Sequence, residues 1–441
     1  MSNEKQSPES KPRVLIIGGG FAGLECATGL AKTPVEITLA DRHNYHLFQP
    51  LLYQVATAVL SPADIAAPIR RLLRNQVNAR VVLAKLTGVD LQKKLARFPR
   101  GDVAYDYLVL ATGVTHSYFG HGDWASCAPG LKSVEDALEI RRRILIAYES
   151  AEWEVNAAAR SAKLTFVVIG GGPTGVELAG ALKEIASETI PKDFRNIDTT
   201  TARIILIEAG PRLLAAMPEK LGLRAEHDLE QLGVEVRLNS LVTEIKEGVV
   251  SIGAEELTAE NIIWAAGVRG SEVAASLGCK LDTQGRVLVQ PDLSIPDHPE
   301  VFVVGDLANL ADPRTGESIA GVAPAAIQMG KYVADLIRQN LVDEHSERGP
   351  FMYHDKGSMA TIGRNRAVAS IAGRQFGGFL AWLCWGVVHI IPLIGFRSKI
   401  SVVFSWLWSY FSLSKNARLI TGRPKMKVKQ ARGVVRDEGE P

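Results

Sequence analysis

A glycine-rich turn between an apolar strand and a helix occurs twice in this sequence, and this repeat constrains the fold more than any other feature. In the first copy, residues 14–17 are apolar, residues 18–23 read Gly-Gly-Gly-Phe-Ala-Gly, and residues 24–31 favour a helix. A second apolar strand then ends on Asp41. Such glycines let backbone N–H groups approach a pyrophosphate, and the acid can hydrogen-bond a ribose. The pattern therefore predicts a dinucleotide site.

The second copy lies about 150 residues later. Residues 164–169 form the strand, 170–175 read Gly-Gly-Gly-Pro-Thr-Gly, 176–186 favour a helix, and a further strand at 203–207 ends on Glu208. The segment 187–200 is an insertion that lengthens this unit. A Glu at this place favours NADH, because its charge repels the extra phosphate of NADPH, although nearby Arg212 leaves NADPH open. Two such units in one chain predict two dinucleotides held face to face.

Three short markers accompany the two units. Residues 107–113 and 262–267 are each a strand that runs into a small-residue turn, and residues 301–306 are a strand that ends in Gly-Asp. An Asp at the carboxyl end of a strand, beside a cofactor crevice, is well placed to accept a hydrogen bond from a cofactor hydroxyl. Asp306 is therefore a third candidate binding residue.

Composition sets outer limits. A chain of 441 residues is long enough for two or three domains, and a net charge of +2 argues against nucleic-acid binding by the chain as a whole. Its four cysteines, Cys26, Cys127, Cys279 and Cys384, lie far apart, so no zinc cluster or local redox disulfide is expected. We predict that these cysteines are small buried hydrophobic residues, that no metal is bound, and that nothing requires an oxidising compartment.

With these markers in this order, the sequence resembles the two-dinucleotide-binding-domain flavoproteins, the pyridine-nucleotide-dependent FAD oxidoreductases, over residues 12–342. The resemblance implies FAD at the first glycine turn, NADH at the second, and Asp306 at the flavin ribityl chain. The FAD contacts it implies are Gly18, Gly20, Phe21, Ala22, Gly23, Asp41, Arg42, Gln49, Pro50, Leu51, Val82, Ala111, Thr112, Gly113, Gly305 and Asp306. The NADH contacts it implies are Gly170, Gly172, Pro173, Thr174, Gly175, Glu208, Ala266 and Gly267.

Residues 42–54 narrow the family further. Disulfide reductases of this superfamily carry a CxxxxC pair at this place, and this chain has no cysteine there. The segment looks like that of the type II NADH dehydrogenases, the single-chain NADH:quinone oxidoreductases, as do residues 172–180 and 359–364. This resemblance covers nearly the whole chain after residue 12. It implies hydride transfer from NADH to FAD, then two electrons to a membrane quinone, without proton pumping.

Two alternatives stay open. A soluble FAD-dependent NAD(P)H reductase of a ferredoxin or rubredoxin would share both dinucleotide units and would not need the C-terminal region. A sulfide:quinone oxidoreductase would share that region but needs a cysteine pair at the flavin. Neither Cys127 nor Cys279 lies beside the expected motifs.

The acceptor side carries one departure from the family. The family's quinone motif is AQxxxQ, and this chain has Ala323, Pro324 and Gln328 at the corresponding positions, so a proline replaces the first glutamine. A proline cannot donate a hydrogen bond. Two alternatives follow: an altered quinone placement, in which Gln328 alone holds one quinone carbonyl, or a different electron acceptor. The family comparison also makes Glu177 a proton relay between nicotinamide and quinone, although the dipole of its helix would by itself explain an acid there.

The C-terminal region is chemically distinct. Between Lys356 and Arg436 there are fourteen Lys or Arg residues, no Asp or Glu, and four of the seven tryptophans. Residues 376–396 are uncharged and long enough to raise a single membrane span, but their glycines and Pro392 argue against one. Residues 400–413 predict an amphipathic helix with a serine stripe at 401, 405, 409 and 412. Its apolar faces predict either packing on the protein's own core or insertion into a lipid surface.

Interleaved tryptophans and flanking basic residues favour the lipid surface. The basic residues expected to meet anionic lipid are Arg397, Lys399, Lys415, Arg418, Arg423, Lys425, Lys427 and Lys429. We therefore predict a monotopic anchor that binds anionic lipid on the cytoplasmic face of the cell membrane, with no nucleic-acid partner and a homodimer as an open possibility. The predicted fold class is α/β, with two Rossmann-like domains and a C-terminal anchoring region. The predicted boundaries are a disordered N-terminus at 1–12, an FAD domain at 13–125 and 285–345, an NADH domain at 126–284, the anchoring region at 346–423 and a disordered basic tail at 424–441.

Overall fold

The computed structural model describes residues 11–343, 346–412 and 417–421. Most of the predicted N-terminal lead-in, the whole predicted basic tail, and the predicted lipid-binding residues Lys415, Arg423, Lys425, Lys427 and Lys429 lie outside these ranges. The helices of the described residues are α1 (Phe21–Gly29), α2 (Leu52–Ala56), α3 (Pro62–Ile65), α4 (Ile69–Leu72), α5 (Val134–Trp153), α6 (Ala157–Lys163), α7 (Pro173–Glu184), α8 (Glu219–Leu232), α9 (Ala323–Val342), α10 (Phe379–Ile390) and α11 (Phe396–Ser412).

The first glycine turn lies at the edge of a six-stranded sheet. The strands of this sheet are, in spatial order, Ser294–Ile295, His298–Val303, Tyr107–Leu110, Arg13–Ile17, Glu36–Asp41 and Ala79–Leu83. All neighbours are parallel except the first pair. The central strands are apolar because they are buried on both faces, as four successive buried residues in the strand Arg13–Ile17 show. Their carboxyl ends therefore meet at one edge, where a nucleotide can bind.

The second glycine turn has the same setting in a four-stranded parallel sheet. Its strands are, in spatial order, Val234–Arg237, Arg203–Ile207, Thr165–Ile169 and Asn261–Trp264. The two parallel sheets, each with a glycine turn at the carboxyl end of its strand, agree with the predicted α/β class. The insertion at 187–200 begins within a π-helical segment, Ile185–Thr189, that continues α7.

Shorter strands complete these two units. An antiparallel pair, Val114–His116 with Val268–Gly270, joins the segments that lead from one parallel sheet to the other. The remaining small sheets are Glu244–Lys246 with Val249–Ile252 and Glu255–Thr258, Tyr45–Leu47 with Ala66–Pro68, Gly88–Asp90 with Leu95–Arg97 and Val103–Ala104, and Val287–Leu288 with Ala308–Asn309.

The C-terminal region is a three-stranded antiparallel sheet followed by two helices. The strands are Ser358–Gly363, Arg366–Ile371 and Arg374–Gly377. The uncharged run at 376–396 is therefore divided between the last strand, α10 and the turn before α11, and it does not form one helix. Across the described ranges, no helix combines the length and the apolar character that crossing a membrane requires.

The helix α11 is joined to the protein along one side. Ser401 Oγ donates to Asp64 Oδ1 at 2.6 Å, and Trp406 Nε1 donates to Gln54 Oε1 at 2.7 Å. Its apolar side is exposed, with Phe404 65% and Phe411 80% accessible. The alternative in which the apolar faces of this helix pack on the protein's core is therefore wrong for most of its length, and Val402 is its one buried residue.

A close helix–strand contact joins the second parallel unit to the C-terminal sheet. Gly180 of α7 lies so near the strand Ser358–Gly363 that a Cβ atom there would be 1.7 Å from the carbonyl oxygen of Ile362. Only a residue without a side chain permits this approach.

We therefore expect Gly180→Ala to lower the free energy of unfolding by about 1–3 kcal/mol, the usual cost of overpacking. Thermal or denaturant unfolding measures the change. Gly122→Ala is the matched control, because a Cβ at Gly122 meets nothing within 4 Å. Equal stability of the two variants would contradict the tight contact between α7 and the C-terminal sheet.

Candidate active site

The first glycine turn has the geometry of a pyrophosphate cradle. Gly18 adopts φ +106°, and a Cβ on Gly23 would lie 1.9 Å from the Gly18 carbonyl oxygen, so both positions require glycine. Gly20 caps α1, which begins at Phe21 with no side-chain hydrogen bond to its N-terminal amides. Those amides are donors suited to an anion.

Asp41 closes the turn from the next strand. Its Oδ2 accepts from the Gly19 N–H at 2.6 Å, and its Oδ1 accepts from the His43 N–H at 2.6 Å. These bonds hold the carboxylate beside the turn, at the position from which a ribose is bound in this type of fold. Arg42, which follows it, is exposed.

The second glycine turn repeats this arrangement atom for atom. Gly170 has φ +114°, and a Cβ on Gly175 would lie 1.8 Å from the Gly170 carbonyl oxygen. Glu208 Oε2 accepts from the Gly171 N–H at 2.6 Å, and its Oε1 accepts from the Gly210 N–H at 2.7 Å. The helix α7 begins at Pro173 and, like α1, has no side-chain cap. Both cradles fit a dinucleotide phosphate.

The markers after the strands lie at the same edges. A Cβ on Gly18 would contact the Ala111 carbonyl oxygen at 2.3 Å, and one on Gly170 would contact the equivalent Ala265 oxygen at 2.8 Å. Thr112 Oγ1 hydrogen-bonds Ser271 Oγ at 2.7 Å. The other predicted residues of these turns are Gly113, Ala266 and Gly267, and Gly267 packs so close to Phe119 that a Cβ would lie 2.5 Å from that ring.

Asp306 reaches the first edge from the far end of the chain. Gly305 follows the strand His298–Val303, and its N–H lies 3.3 Å from Met329 Sδ of α9. Val304 N–H donates to the Leu110 carbonyl at 3.0 Å. The Gly-Asp marker is therefore held against the same strand end as Ala111. Val82 lies farther out, on the outer strand of this sheet, paired with Ala40.

Residues 42–54 form one wall beside the first turn. The Phe21 ring packs edge-on against His46 and Phe48, with centroids 5.1 and 5.8 Å apart. Gln49, Pro50 and Leu51 form a short 3-10 helix that leads into α2, and Leu51 is fully buried. All four cysteines of the chain are free thiols, of which Cys26 is fully buried and the other three are partly exposed.

Glu177 lies where three parts of the chain meet. It projects from α7 toward the strand Ser358–Gly363 and helix α10, and its Oε1 accepts a long hydrogen bond, 3.4 Å, from the Thr361 N–H. Burial raises the pKa of Glu177 to about 8, and hydrogen bonding by Thr361 and Trp385 offsets only part of this effect. The helix dipole, which would favour the ionised acid, therefore does not dominate at this position.

Gln328 is engaged within the protein. Its Nε2 donates to the His354 carbonyl at 3.0 Å, and its Oε1 accepts from the His354 N–H at 2.9 Å. This pair of bonds fastens α9 to the chain that leads into the C-terminal sheet. Ala323 and Pro324 form the first turn of α9 and are partly buried. Both polar atoms of the Gln328 amide, which was expected to hold a quinone carbonyl, are thus bonded to the His354 backbone.

Sequence reasoning missed an aromatic cluster around Glu177. Trp385 of α10 stacks on His389 at 4.3 Å and lies 5.4 Å from Trp406 and 6.5 Å from Tyr53, measured between ring centroids. Tryptophans interleaved in apolar helices with flanking basic residues predict a lipid surface instead. The spacing of four between Trp385 and His389, which places both on one helix face, was the available signal.

Two uncapped helix N-termini at two parallel sheets, each closed by an acid, are the sites of a protein that binds two dinucleotides. Residues 12–330 match the pyridine nucleotide-disulphide oxidoreductase family, and residues 355–412 match the NDH2 C-terminal domain family. The chain is 44% identical over 435 residues to the type II NADH:quinone oxidoreductase Ndh of Mycobacterium tuberculosis, covering 95% of this chain and 93% of that protein. It is 41% identical to NdhA of the same organism, covering 96% and 92%.

Solved structures agree with this fold. NDH2 from Plasmodium falciparum, in complex with NADH, has a TM-score of 0.85 at 18% identity, covering 93% of this chain and all of that one. The sulfide:quinone oxidoreductase of Aquifex aeolicus has a TM-score of 0.71 at 20% identity, covering 91% and 95%, which is a likeness of fold alone.

This chain belongs to the type II NADH:quinone oxidoreductases, FAD-dependent enzymes that oxidise NADH and reduce quinone. The resemblance seen in the sequence is thereby confirmed, and the comparisons favour this activity over the soluble-reductase and sulfide alternatives.

Proposed function

We propose that NADH binds at the second glycine turn, that FAD binds at the first, and that a quinone reaches the junction of α2, α7 and α10 from a membrane surface. The observation that carries this proposal is the position of Glu177, which shares this junction with residues of all three parts of the chain. FAD supplies the redox chemistry, accepting a hydride and giving up two electrons.

The nucleotide roles follow from the two cradles. Gly18, Gly20, Gly23 and Asp41 hold the pyrophosphate and ribose of FAD, and Asp306 accepts from the ribityl chain. Gly170, Gly172, Gly175 and Glu208 do the same for NADH. The other residues that the resemblance implies at each turn are proposed to complete these contacts.

Glu208 carries the preference for NADH. Nearby Arg212 was the reason to keep NADPH as an alternative. Its guanidinium donates to the backbone carbonyls of Met217 and Ala215 at 2.8 and 2.7 Å, so it is already engaged. The Glu208 carboxylate then repels the 2′-phosphate of NADPH, and the Arg212 guanidinium does not offset this repulsion.

We expect Glu208→Gln to narrow the ratio of kcat/KM for NADH over NADPH by about tenfold, because removing a like charge beside the phosphate relieves its repulsion. Steady-state rates with each nucleotide measure the ratio. Glu256→Gln, an exposed acid of the same domain, is the control and should keep the original ratio. A preference unchanged in Glu208→Gln would remove Glu208 from the nucleotide site.

Glu177 is proposed to supply a proton to the quinone. NADH brings two electrons and one hydrogen nucleus, so the quinol needs one more proton. A carboxyl with a pKa of about 8 holds that proton at neutral pH and can release it to an oxygen that becomes basic on reduction.

We expect Glu177→Gln to slow quinone-dependent flavin reoxidation by about 100-fold, the usual loss for a removed general acid, and to leave flavin reduction by NADH unchanged. In the unaltered protein the reoxidation rate should fall as pH rises through about 8, because the proton is lost there, and this fall should be absent in the variant. Stopped-flow spectroscopy separates the two half-reactions. Glu219→Gln, at the start of α8, is the control. Equal reoxidation rates would contradict the proton role.

The exposed apolar side of the C-terminal helices supports docking on a lipid surface. We define the anchor face as the exposed apolar residues of α10, α11 and the turn between them: Phe379, Leu380, Leu383, Val387, Val388, Ile391, Phe396, Ile400, Val403, Phe404, Leu407, Trp408 and Phe411. An apolar surface of this extent on two adjacent helices is unusual on a monomer in water and typical of a membrane-interface helix.

Basic residues near this face divide into two groups. Arg397 is exposed beside it and is free to meet anionic headgroups, and Lys399 donates to the Ile391 carbonyl at 2.7 Å. Arg418 instead pairs with Asp193 of the NADH-binding part. The proposed lipid attraction therefore rests on the anchor face first and on charge second.

The proposed location is the cytoplasmic face of the membrane, with which four free cysteines are compatible. The homodimer stays a prediction.

A further inference from the structure

We propose that the indole N–H of Trp385 donates a hydrogen bond to the Glu177 carboxylate once Glu177 has given its proton to the quinone. Trp385 is then a positioning residue of the quinone half-reaction. The inference rests on the proposed proton role of Glu177.

Trp385 is a buried donor that lacks a partner. The side chain is 4% exposed, and its Nε1 makes no hydrogen bond of normal geometry. A buried N–H left unpaired costs about 1–3 kcal/mol, so such a group in a fold calls for an explanation. The buried Trp264 differs in this respect, because its Nε1 donates to the Ser117 carbonyl at 2.9 Å.

The ring of Trp385 is held in place by its neighbours. His389 stacks on one face at 4.3 Å, Trp406 lies 5.4 Å away, and Tyr53 packs edge-on at 6.5 Å. Trp406 is itself fixed by its bond to Gln54, which also donates to the Tyr53 hydroxyl at 3.0 Å. The indole therefore cannot turn away easily to find another acceptor.

Glu177 is the acceptor within reach. The Trp385 indole lies close enough to this carboxyl to favour its ionised form, although the pair has not reached normal hydrogen-bond geometry. The present bond from Thr361 N–H to Glu177 is long, at 3.4 Å. A protonated acid needs few donors, whereas a carboxylate accepts up to about four hydrogen bonds. The arrangement suits a carboxyl that is neutral at rest and takes up both donors when it ionises.

The Trp385 donor matters in the step that transfers a proton from Glu177 to the quinone. Reduction of the quinone breaks the O–H bond of Glu177 and forms one on a quinone oxygen, while the second hydrogen nucleus and both electrons derive from the NADH hydride. Glu177 then carries a charge in a buried place, which Thr361 N–H and Trp385 N–H offset until solvent returns a proton. The donor therefore lowers the free energy of the state that follows proton transfer.

Other ionisable groups face this junction from each neighbouring element. Tyr53 lies on α2, His389 on α10 one turn beyond Trp385, and Glu184 lies two turns along α7, where it accepts from the Arg364 N–H. Burial raises the pKa of Tyr53 well above 10 and lowers the pKa of His389. Both are neutral near pH 8, so their charge does not mask that of Glu177.

The test compares Trp385→Phe with Trp382→Phe. The first keeps an aromatic ring and removes the donor, and the second makes the same change one turn earlier on α10, where the ring packs on Phe379 and Tyr410. We expect Trp385→Phe to raise by about one unit the pH at which quinone-dependent reoxidation falls to half, since one hydrogen bond to a charged group is worth about that much. Reduction by NADH should stay unchanged, and Trp382→Phe should keep the original profile.

A second readout does not depend on turnover. The carboxyl C=O stretch of Glu177, identified by its loss in Glu177→Gln, should titrate at higher pH in Trp385→Phe when followed by infrared difference spectroscopy. In the unaltered protein, the indole ¹⁵N–H resonance of Trp385 should move with the same titration, which tests the pairing even if the variant does not fold. An unshifted titration and a pH-independent resonance would overturn the inference. A shifted titration with no effect of Glu177→Gln on reoxidation would keep the pairing and reject the proton role.

Discussion

Replacing Gly23 with valine should give a folded protein without flavin, whereas replacing Gly175 with valine should give a flavin-loaded protein that NADH reduces poorly. Each substitution places a side chain within 2 Å of a backbone carbonyl oxygen of its own turn, Gly18 or Gly170. About 3 kcal/mol of overpacking corresponds to roughly 100-fold in nucleotide affinity. Flavin absorbance of the purified proteins and an NADH titration measure the two effects.

The two variants act as controls for one another. They carry the same substitution at equivalent places of two cradles with the same local geometry, so a general loss of folding would affect both in the same way. Loss of flavin from Gly175→Val, with flavin retained in Gly23→Val, would reverse the assignment of the two nucleotides.

The second large effect concerns the anchor face. We expect Phe404→Glu with Trp408→Glu to weaken binding to anionic vesicles by roughly 100-fold or more, because burying two such aromatic side chains contributes about 3–6 kcal/mol. Both residues are exposed on α11, and neither takes part in the bond from Ser401 to Asp64, so the fold should not change. Vesicle co-sedimentation measures binding, and reduction of the flavin by NADH should be unaffected.

The matched control places the same charges elsewhere. Trp153 and Val155, at the end of α5, are 87% and 94% exposed and lie outside the anchor face. Trp153→Glu with Val155→Glu changes the net charge equally and should bind vesicles like the unaltered protein. If both double variants lost binding to the same extent, net charge rather than the anchor face would be responsible.

The two nucleotide units could be read from the sequence because their rules are local. A strand, a glycine turn, a helix and an acid follow each other along the chain, and the bonds from Asp41 to Gly19 and from Glu208 to Gly171 join residues of one unit. Glycine is required at Gly18 by its own φ and at Gly23 by the nearby Gly18 carbonyl, only five positions earlier in the chain. Such local constraints can be recognised from the residue types in the sequence.

The orientation of α11 could not be read in this way. The serine stripe on this apolar helix does not by itself indicate which side meets the protein. Ser401 bonds to Asp64 and Trp406 bonds to Gln54, and both partners lie more than 300 residues away in the sequence. The sequence shows which residues share a helix face but not which face meets the protein.

The acceptor side depends on contacts of the same long-range kind. Gln328 finds its partner in the backbone of His354, which carries no side-chain signature. The pKa of Glu177 is set by burial among α7, the C-terminal sheet and α10, and no window of sequence contains all three. The family motif identified both residues as special, and only the fold shows what each one touches.

The central claim is that electrons pass from NADH through a bound flavin to a quinone at the membrane side of this fold. Anaerobic spectroscopy of the flavin in the vesicle-bound protein tests it most directly: NADH or NADPH is added first, and a short-chain quinone second. The account predicts rapid bleaching by NADH, slow bleaching by NADPH, and recovery of the oxidised spectrum on addition of quinone. Bleaching by NADH without recovery on quinone would contradict it.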